Sequence, residues 1–130
     1  MSIQRFGAGA PGGGGKRLPF SKAVRAGDFV FVSGQIAAGP DGEVVPGGIV
    51  EQARRTIENV RTILESTGLG LRDVVKATVW LDDTRDFWSF NRVYEEYFGE
   101  ALPARSVVRS ELVSDAKVEI EVVAYAGKSG

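Results

Sequence analysis

Four places in this 130-residue sequence carry side chains suited to chemistry. In Leu102-Pro103-Ala104-Arg105-Ser106 an arginine stands where a proline-stiffened loop enters a strand-like run. A guanidinium is a planar, permanently charged fork that takes a carboxylate or phosphate bidentately. Spacing alone favours a plainer use, a surface arginine in an ion pair. Glu119 alternates with apolar residues in Lys117-Val118-Glu119-Ile120-Glu121-Val122-Val123. A buried carboxylate needs hydrogen bonds or a cation, and burial lifts its pKa toward values useful in general acid–base catalysis. Glu121 has the same parity, so the pattern leaves open which of the two is buried, and a solvated or salt-bridged edge residue is the plain alternative. Ser33-Gly34-Gln35 interrupts an apolar run. Glycine there signals a bulge or the close approach of a ligand or another chain, and the Ser33 hydroxyl can orient a substrate or water. Asn91 lies among aromatics, where a structural amide is the favoured use and contact with a ligand the other.

The chain has no histidine and no cysteine. That excludes a Ser-His-Asp triad, an imidazole base, a thiolate nucleophile, a disulfide framework and metal sites built on His or Cys. Chemistry falls to carboxylates, Arg, Lys, hydroxyls and backbone groups. Sixteen Lys and Arg against seventeen Asp and Glu leave a formal charge of −1. No basic surplus points to nucleic acid or an anionic membrane. No apolar run approaches the roughly 20 residues of a membrane span, and no apolar signal-like stretch opens the chain, so the expected location is cytoplasmic.

Gly7-Ala8-Gly9-Ala10-Pro11-Gly12-Gly13-Gly14-Gly15-Lys16 superficially suggests a phosphate loop. The pattern requires glycine where Ala10 stands, Ser or Thr where Arg17 stands, and a preceding strand. Residues 1–18 therefore read as a flexible glycine-rich arm, and 19–130 as the folded domain.

The elements that must position the candidate residues are legible from period. Lys22 to Arg25, a turn at Ala26-Gly27-Asp28, and Phe29 to Ile36 read as a hairpin. Val50, Ala53, Ile57, Val60 and Leu64, widened by Ile63, form a helical stripe that ends at Gly68 and Gly70. Val74 to Leu81 reads as a strand. Phe87, Phe90, Tyr94 and Tyr97/Phe98 mark a second helix, stopped by Gly99 and Pro103. Strands from Arg105 to about Leu112 and from Lys117 to about Ala126 complete a β-β-α-β-α-β-β order, with a short extra strand near Val44-Val45. Such an order predicts a mixed sheet with both helices on it.

Two helices cover one face of such a sheet, yet both faces carry apolar residues. Phe29 and Phe31 oppose Val30, Val32 and Ile36, and Val123 and Tyr125 share a face with Glu119. An apolar face left over calls for another copy of the chain, so a homo-oligomer is expected.

Several segments taken together resemble the reactive intermediate deaminase family (RidA, also called YjgF). They are Pro19-Phe20-Ser21-Lys22-Ala23-Val24, Phe31-Val32-Ser33-Gly34-Gln35-Ile36, Val74 to Leu81, Phe90-Asn91 with Val93-Tyr94 and Tyr97-Phe98, Pro103-Ala104-Arg105-Ser106, and Val118-Glu119-Ile120-Glu121. The resemblance runs in order from about Pro19 to Ala126. It implies an α/β (α+β) domain of chorismate-mutase-like fold, assembled as a homotrimer around a central β-barrel, with sites in clefts between neighbours. The implied activity is hydrolysis of 2-imino acids and their enamine tautomers to 2-keto acids and ammonia, with no metal or organic cofactor. Such intermediates escape from pyridoxal-phosphate-dependent dehydratases acting on serine or threonine.

Carried onto this chain, the resemblance makes Arg105 the clamp for the substrate carboxylate and Glu119 the holder and activator of the attacking water. Ser33 and the backbone at Gly34 would orient the substrate, and Asn91 would shape the cleft. Two positions depart from the best-known members: Phe20 replaces a tyrosine that faces the substrate, and Val107 replaces a frequent cysteine. The rival expectations are a non-catalytic binder of small carboxylates, and a ribonuclease or translation inhibitor.

Overall fold

The computed structural model describes residues 2–127. Its frame is a six-stranded sheet of β1 (Ile3–Phe6), β2 (Ala23–Ala26), β3 (Phe29–Gln35), β4 (Val74–Leu81), β5 (Ala104–Arg109) and β6 (Val118–Tyr125), in the order β1-β2-β3-β6-β4-β5. Only β4 and β5 pair in parallel; every other neighbouring pair is antiparallel, so the sheet is mixed as the element order implied. Two helices, α1 (Ile49–Ser66) and α2 (Phe87–Phe98), provide the β3-to-β4 and β4-to-β5 crossovers.

Local chemistry explains the punctuation. Gly27, at φ 62°, opens the two-residue turn between β2 and β3, a conformation that strains residues with a Cβ. At the start of α1 the Glu51 carboxylate accepts from the Gly48 N–H at 2.8 Å, satisfying a donor the helix leaves free. At its end the Leu69 N–H reaches back to the Leu64 carbonyl at 3.0 Å, across Gly68 at φ 87°; this is the left-handed glycine stop.

The core lies between the helices and one face of the sheet. Ala53, Ile57, Val60 and Leu64 of α1 and Phe90, Val93 and Phe98 of α2 bury against Val30, Val79, Leu81, Val118, Ile120 and Val122. Val50 departs from the expected stripe: it is exposed and Ile49 is buried in its stead, a phase shift of one residue at the first turn. Gln52 is also buried, donating to the Val45 carbonyl at 3.3 Å and accepting the Lys117 N–H at 2.8 Å. That amide ties the loop before α1 to the entry of β6.

The stretch expected to be a flexible arm contributes structure. Ile3–Phe6 pairs with β2 as the edge strand, and the Pro11 to Arg17 segment closes on itself around a 3-10 turn at Gly13–Gly15. Four residues are too few to reveal a period, and their partners lie some twenty residues away. Near Val44 an isolated bridge to Ala38 takes the place of the short extra strand.

Across the sheet from the helices, Phe29, Phe31 and Tyr125 are exposed, with the Phe29 and Tyr125 rings 5.6 Å apart. The leftover apolar face expected from strand parity is therefore present.

Candidate functional site

Strand register decides where each candidate residue faces. On β5, Arg105 pairs with Ala77 and Val107 with Val79, both buried beneath the helices. Arg105 and Val107 thus look toward the helix layer from the edge of the sheet. There the Arg105 guanidinium lies over the ring of Tyr94, 4.6 Å from its centroid, with Phe90 and Phe87 at 5.9 and 6.0 Å. Attraction between the cation and the ring quadrupoles holds the side chain in place without using its N–H donors. The ion pairs among the described residues are Arg54–Glu96, Arg61–Glu58 and Arg85–Asp83. Arg105 takes part in none of them, which removes the plain reading of a salt-bridged surface residue.

The aromatic floor contains two polar atoms without a hydrogen-bond partner among the described residues, the Tyr94 hydroxyl and Asn91 Oδ1. Burial pushes the Tyr94 hydroxyl up to about 12, with the Arg105 charge pulling the other way. An unsatisfied buried polar group costs about 1–3 kcal/mol, so each of these atoms has a hydrogen bond left to make with water, a ligand or another chain. Asn91 is one helical turn before Tyr94 and beside Phe90.

Glu119 lies on the other face. It pairs with Trp80 on β4, whereas its neighbours Val118 and Ile120 point into the core. The β3–β6 register breaks between Val32 and Gln35, so Ser33-Gly34 forms an irregularity beside it. The Glu119 carboxylate rests directly against Gly34; a Cβ at that position would collide with Oε2. Glycine is required here by close approach, one of the two readings its place in the strand allowed. Burial raises the Glu119 pKa, and the Glu121 charge adds to the shift. Of the two glutamates on that parity, Glu119 is half-buried and Glu121 exposed.

Ser33 uses its hydroxyl within the chain, donating to the Ser21 carbonyl at 2.6 Å while its N–H donates to the Lys22 carbonyl at 2.9 Å. It thereby pins the segment carrying Phe20 to β3. The Phe20 ring is exposed, and its carbonyl accepts from the Gly9 N–H at 3.0 Å. Two groups result. Arg105, Val107 and the α2 aromatics occupy the helix side of the β5 edge; Glu119 and Gly34 occupy the opposite face at β3–β6. A single chain does not bring Arg105 and Glu119 together.

Helical period alone does not reveal that Tyr94 and Phe87 form the floor beneath Arg105. Their spacing marked the helix, but the β4–β5 register is what sets Arg105 above them. Among the described residues no group of three or more Asp or Glu side chains is arranged to hold a metal ion, and no helix is long and apolar enough to cross a membrane.

A mixed six-stranded sheet with two crossover helices makes this a single-domain α+β protein. Residues 15–126 match the family described as Endoribonuclease L-PSP. The chain belongs to this family, the YjgF group that its motifs resemble. It is 51% identical over 109 residues to a RutC family protein of Pyrococcus abyssi, covering 82% of this chain and 86% of that one. The 2-iminobutanoate/2-iminopropanoate deaminase of Escherichia coli K12 is 40% identical over 110 residues, with the same two coverages. In structure the chain resembles the Escherichia coli YjgF gene product, with a TM-score of 0.82 and 38% identity over 95% of this chain and all of the other. It also resembles Escherichia coli TdcF with bound serine, with a TM-score of 0.79 and 38% identity over 98% of this chain and 99% of that one.

Proposed function

We propose that this protein hydrolyses reactive 2-imino acids, and the enamines that tautomerise to them, to 2-keto acids and ammonia, acting as a homotrimer whose sites join Arg105 of one chain to Glu119 of a neighbour. The observation that carries the reading is the Arg105 guanidinium, oriented by aromatic rings and in no ion pair among the described residues. A permanently charged fork in that state suits a carboxylate ligand. The family, a deaminase-named relative and a relative that binds an amino acid support it.

The chemistry asks little of the protein. Arg105 fixes the substrate carboxylate, and with it the adjacent C=N carbon. The Glu119 carboxylate accepts a proton from a water whose oxygen adds to that carbon. Glu119 returns that proton to the imine nitrogen, giving a tetrahedral carbinolamine. The carboxylate then moves the hydroxyl proton to the amine nitrogen as the C–N bond breaks, and ammonia leaves from a 2-keto acid. Because an iminium carbon is already electrophilic, positioning and one proton acceptor suffice. Gly34 lets the carboxylate approach the backbone, Ser33 holds the Phe20 segment, and Asn91 shapes the cleft. Phe20 supplies no hydroxyl to the substrate, and Val107 supplies an apolar wall and its backbone.

The test couples a threonine or serine dehydratase to semicarbazide trapping of the released imine. Wild-type protein should suppress the adduct, and Arg105→Ala should lose that capacity by on the order of 100-fold. Equal suppression by the two proteins would overturn the proposal. Tight binding of a 2-keto acid with no turnover of any imine would indicate a carboxylate-binding module instead.

A further inference from the structure

Beside Arg105 lies a cavity of about 340 Å³ lined by Leu81, Thr84, Phe87, Trp88, Val107 and Arg109. We infer that it is the side-chain pocket of the substrate site and that it selects 2-imino acids with large apolar or aromatic side chains over those with a methyl or ethyl group. The inference rests on the deaminase reading and deepens it.

Position comes first. Val107 is two residues from Arg105 on the same face of β5, a separation of about 7 Å along a strand. Phe87 belongs to both features: its ring is 6.0 Å from the Arg105 guanidinium carbon and it also lines the cavity. In a 2-imino acid the side chain leaves the carbon next to the carboxylate. A substrate clamped at Arg105 therefore has this cavity within reach of its side chain.

Size and lining give the class. The volume falls within the roughly 300–1,000 Å³ of sites for sizeable ligands, where a methyl group would leave most wall atoms without a contact. Phe87, Trp88, Leu81 and Val107 make the walls mostly hydrocarbon. Trp88 is the telling residue. It is 74% exposed on a helix whose other large aromatics are buried or half-buried, and it meets Phe87 edge-on with centroids 5.3 Å apart at 77°. An indole outside the core, at the rim of a cavity and braced by a second ring, offers a flat surface for an apolar or aromatic group. Arg109, which also lines the cavity, is anchored by its Nε–H on the Asp82 carbonyl at 3.2 Å.

The experiment uses the intact protein and 2-imino acids generated in place by an amino-acid oxidase from alanine, leucine, phenylalanine and glutamate, with semicarbazide as the competing trap. The expected kcat/KM for the leucine- and phenylalanine-derived imines exceeds that for the alanine-derived imine by at least about tenfold, the scale on which an apolar pocket discriminates by size. Trp88→Ala should cut the phenylalanine-to-alanine ratio severalfold, and Trp88→Phe should largely restore it. Circular dichroism checks that both variants fold, which the exposure of Trp88 favours. Equal or better turnover of the alanine-derived imine overturns the inference while leaving the deaminase reading intact. A preference for the glutamate-derived imine overturns it too, making Arg109 a second carboxylate clamp. Turnover of none removes both.

Discussion

Glu119 and Arg105 lie in opposite surroundings, a half-buried carboxylate beside a second glutamate and a guanidinium over aromatic rings. Burial and the nearby Glu121 charge favour the protonated form of Glu119, leaving its carboxylate more basic than an ordinary glutamate. Wild-type kcat should therefore fall with decreasing pH at a value above the usual glutamate range. The same shift has a cost for stability. A carboxyl whose pKa is higher folded than unfolded destabilises the native state once ionised. The penalty is absent below the unfolded value, grows as pH rises through the folded one, and is complete above it. Glu119→Gln should accordingly raise Tm at neutral pH while abolishing turnover, and the gain in Tm should vanish below about pH 4. A lower Tm at neutral pH would show that the carboxylate stabilises the fold. Gly34→Ala addresses the same contact from the other side. Its Cβ would displace the Glu119 carboxylate, so activity should drop at least tenfold, to about a tenth or less, in a protein that still folds.

At the scale of elements, α2 and β5 act as a pair: the helix provides rings and the strand lays an arginine over them. Tyr94→Phe keeps the ring and removes the unpartnered hydroxyl, so KM should stay within about twofold, whereas Tyr94→Leu should raise KM about tenfold through loss of the cation–ring contact. Urea denaturation separates this from simple loss of packing. A purely structural role would lower stability in Tyr94→Leu without a KM effect. These elements also show what a sequence makes legible. The α2 stripe and the alternation of Val118, Ile120 and Val122 are local periods, readable without a partner. The Ile3–Phe6 strand, the reach of Gln52 to Lys117 and the stacking of Arg105 on Tyr94 each depend on residues far apart in the chain, and no local period encodes them. Arg105, Glu119, Ser33 and Gly34 stood out through their motifs, while Tyr94 was indistinguishable from core until the strand register was known.

The whole molecule has a two-sided problem with one answer. Helices cover one face of the sheet, while Phe29, Phe31 and Tyr125 remain exposed on the other. Arg105 lies on the first side and Glu119 on the second. In the proposed oligomer, copies packed against the aromatic face would bury the rings and would give each Arg105 access to another chain's Glu119. Phe31→Glu should therefore yield a folded but dissociated protein in sedimentation analysis, with activity lost in parallel. The most direct measurement is complementation between two inactive variants. Arg105→Ala and Glu119→Gln are mixed in equal amounts under conditions that let subunits exchange, and imine hydrolysis is followed by semicarbazide competition. If each site draws its arginine and its glutamate from different chains, random mixing restores about a quarter of wild-type activity. A mixture that exchanges subunits yet remains as inactive as its components would contradict the shared site.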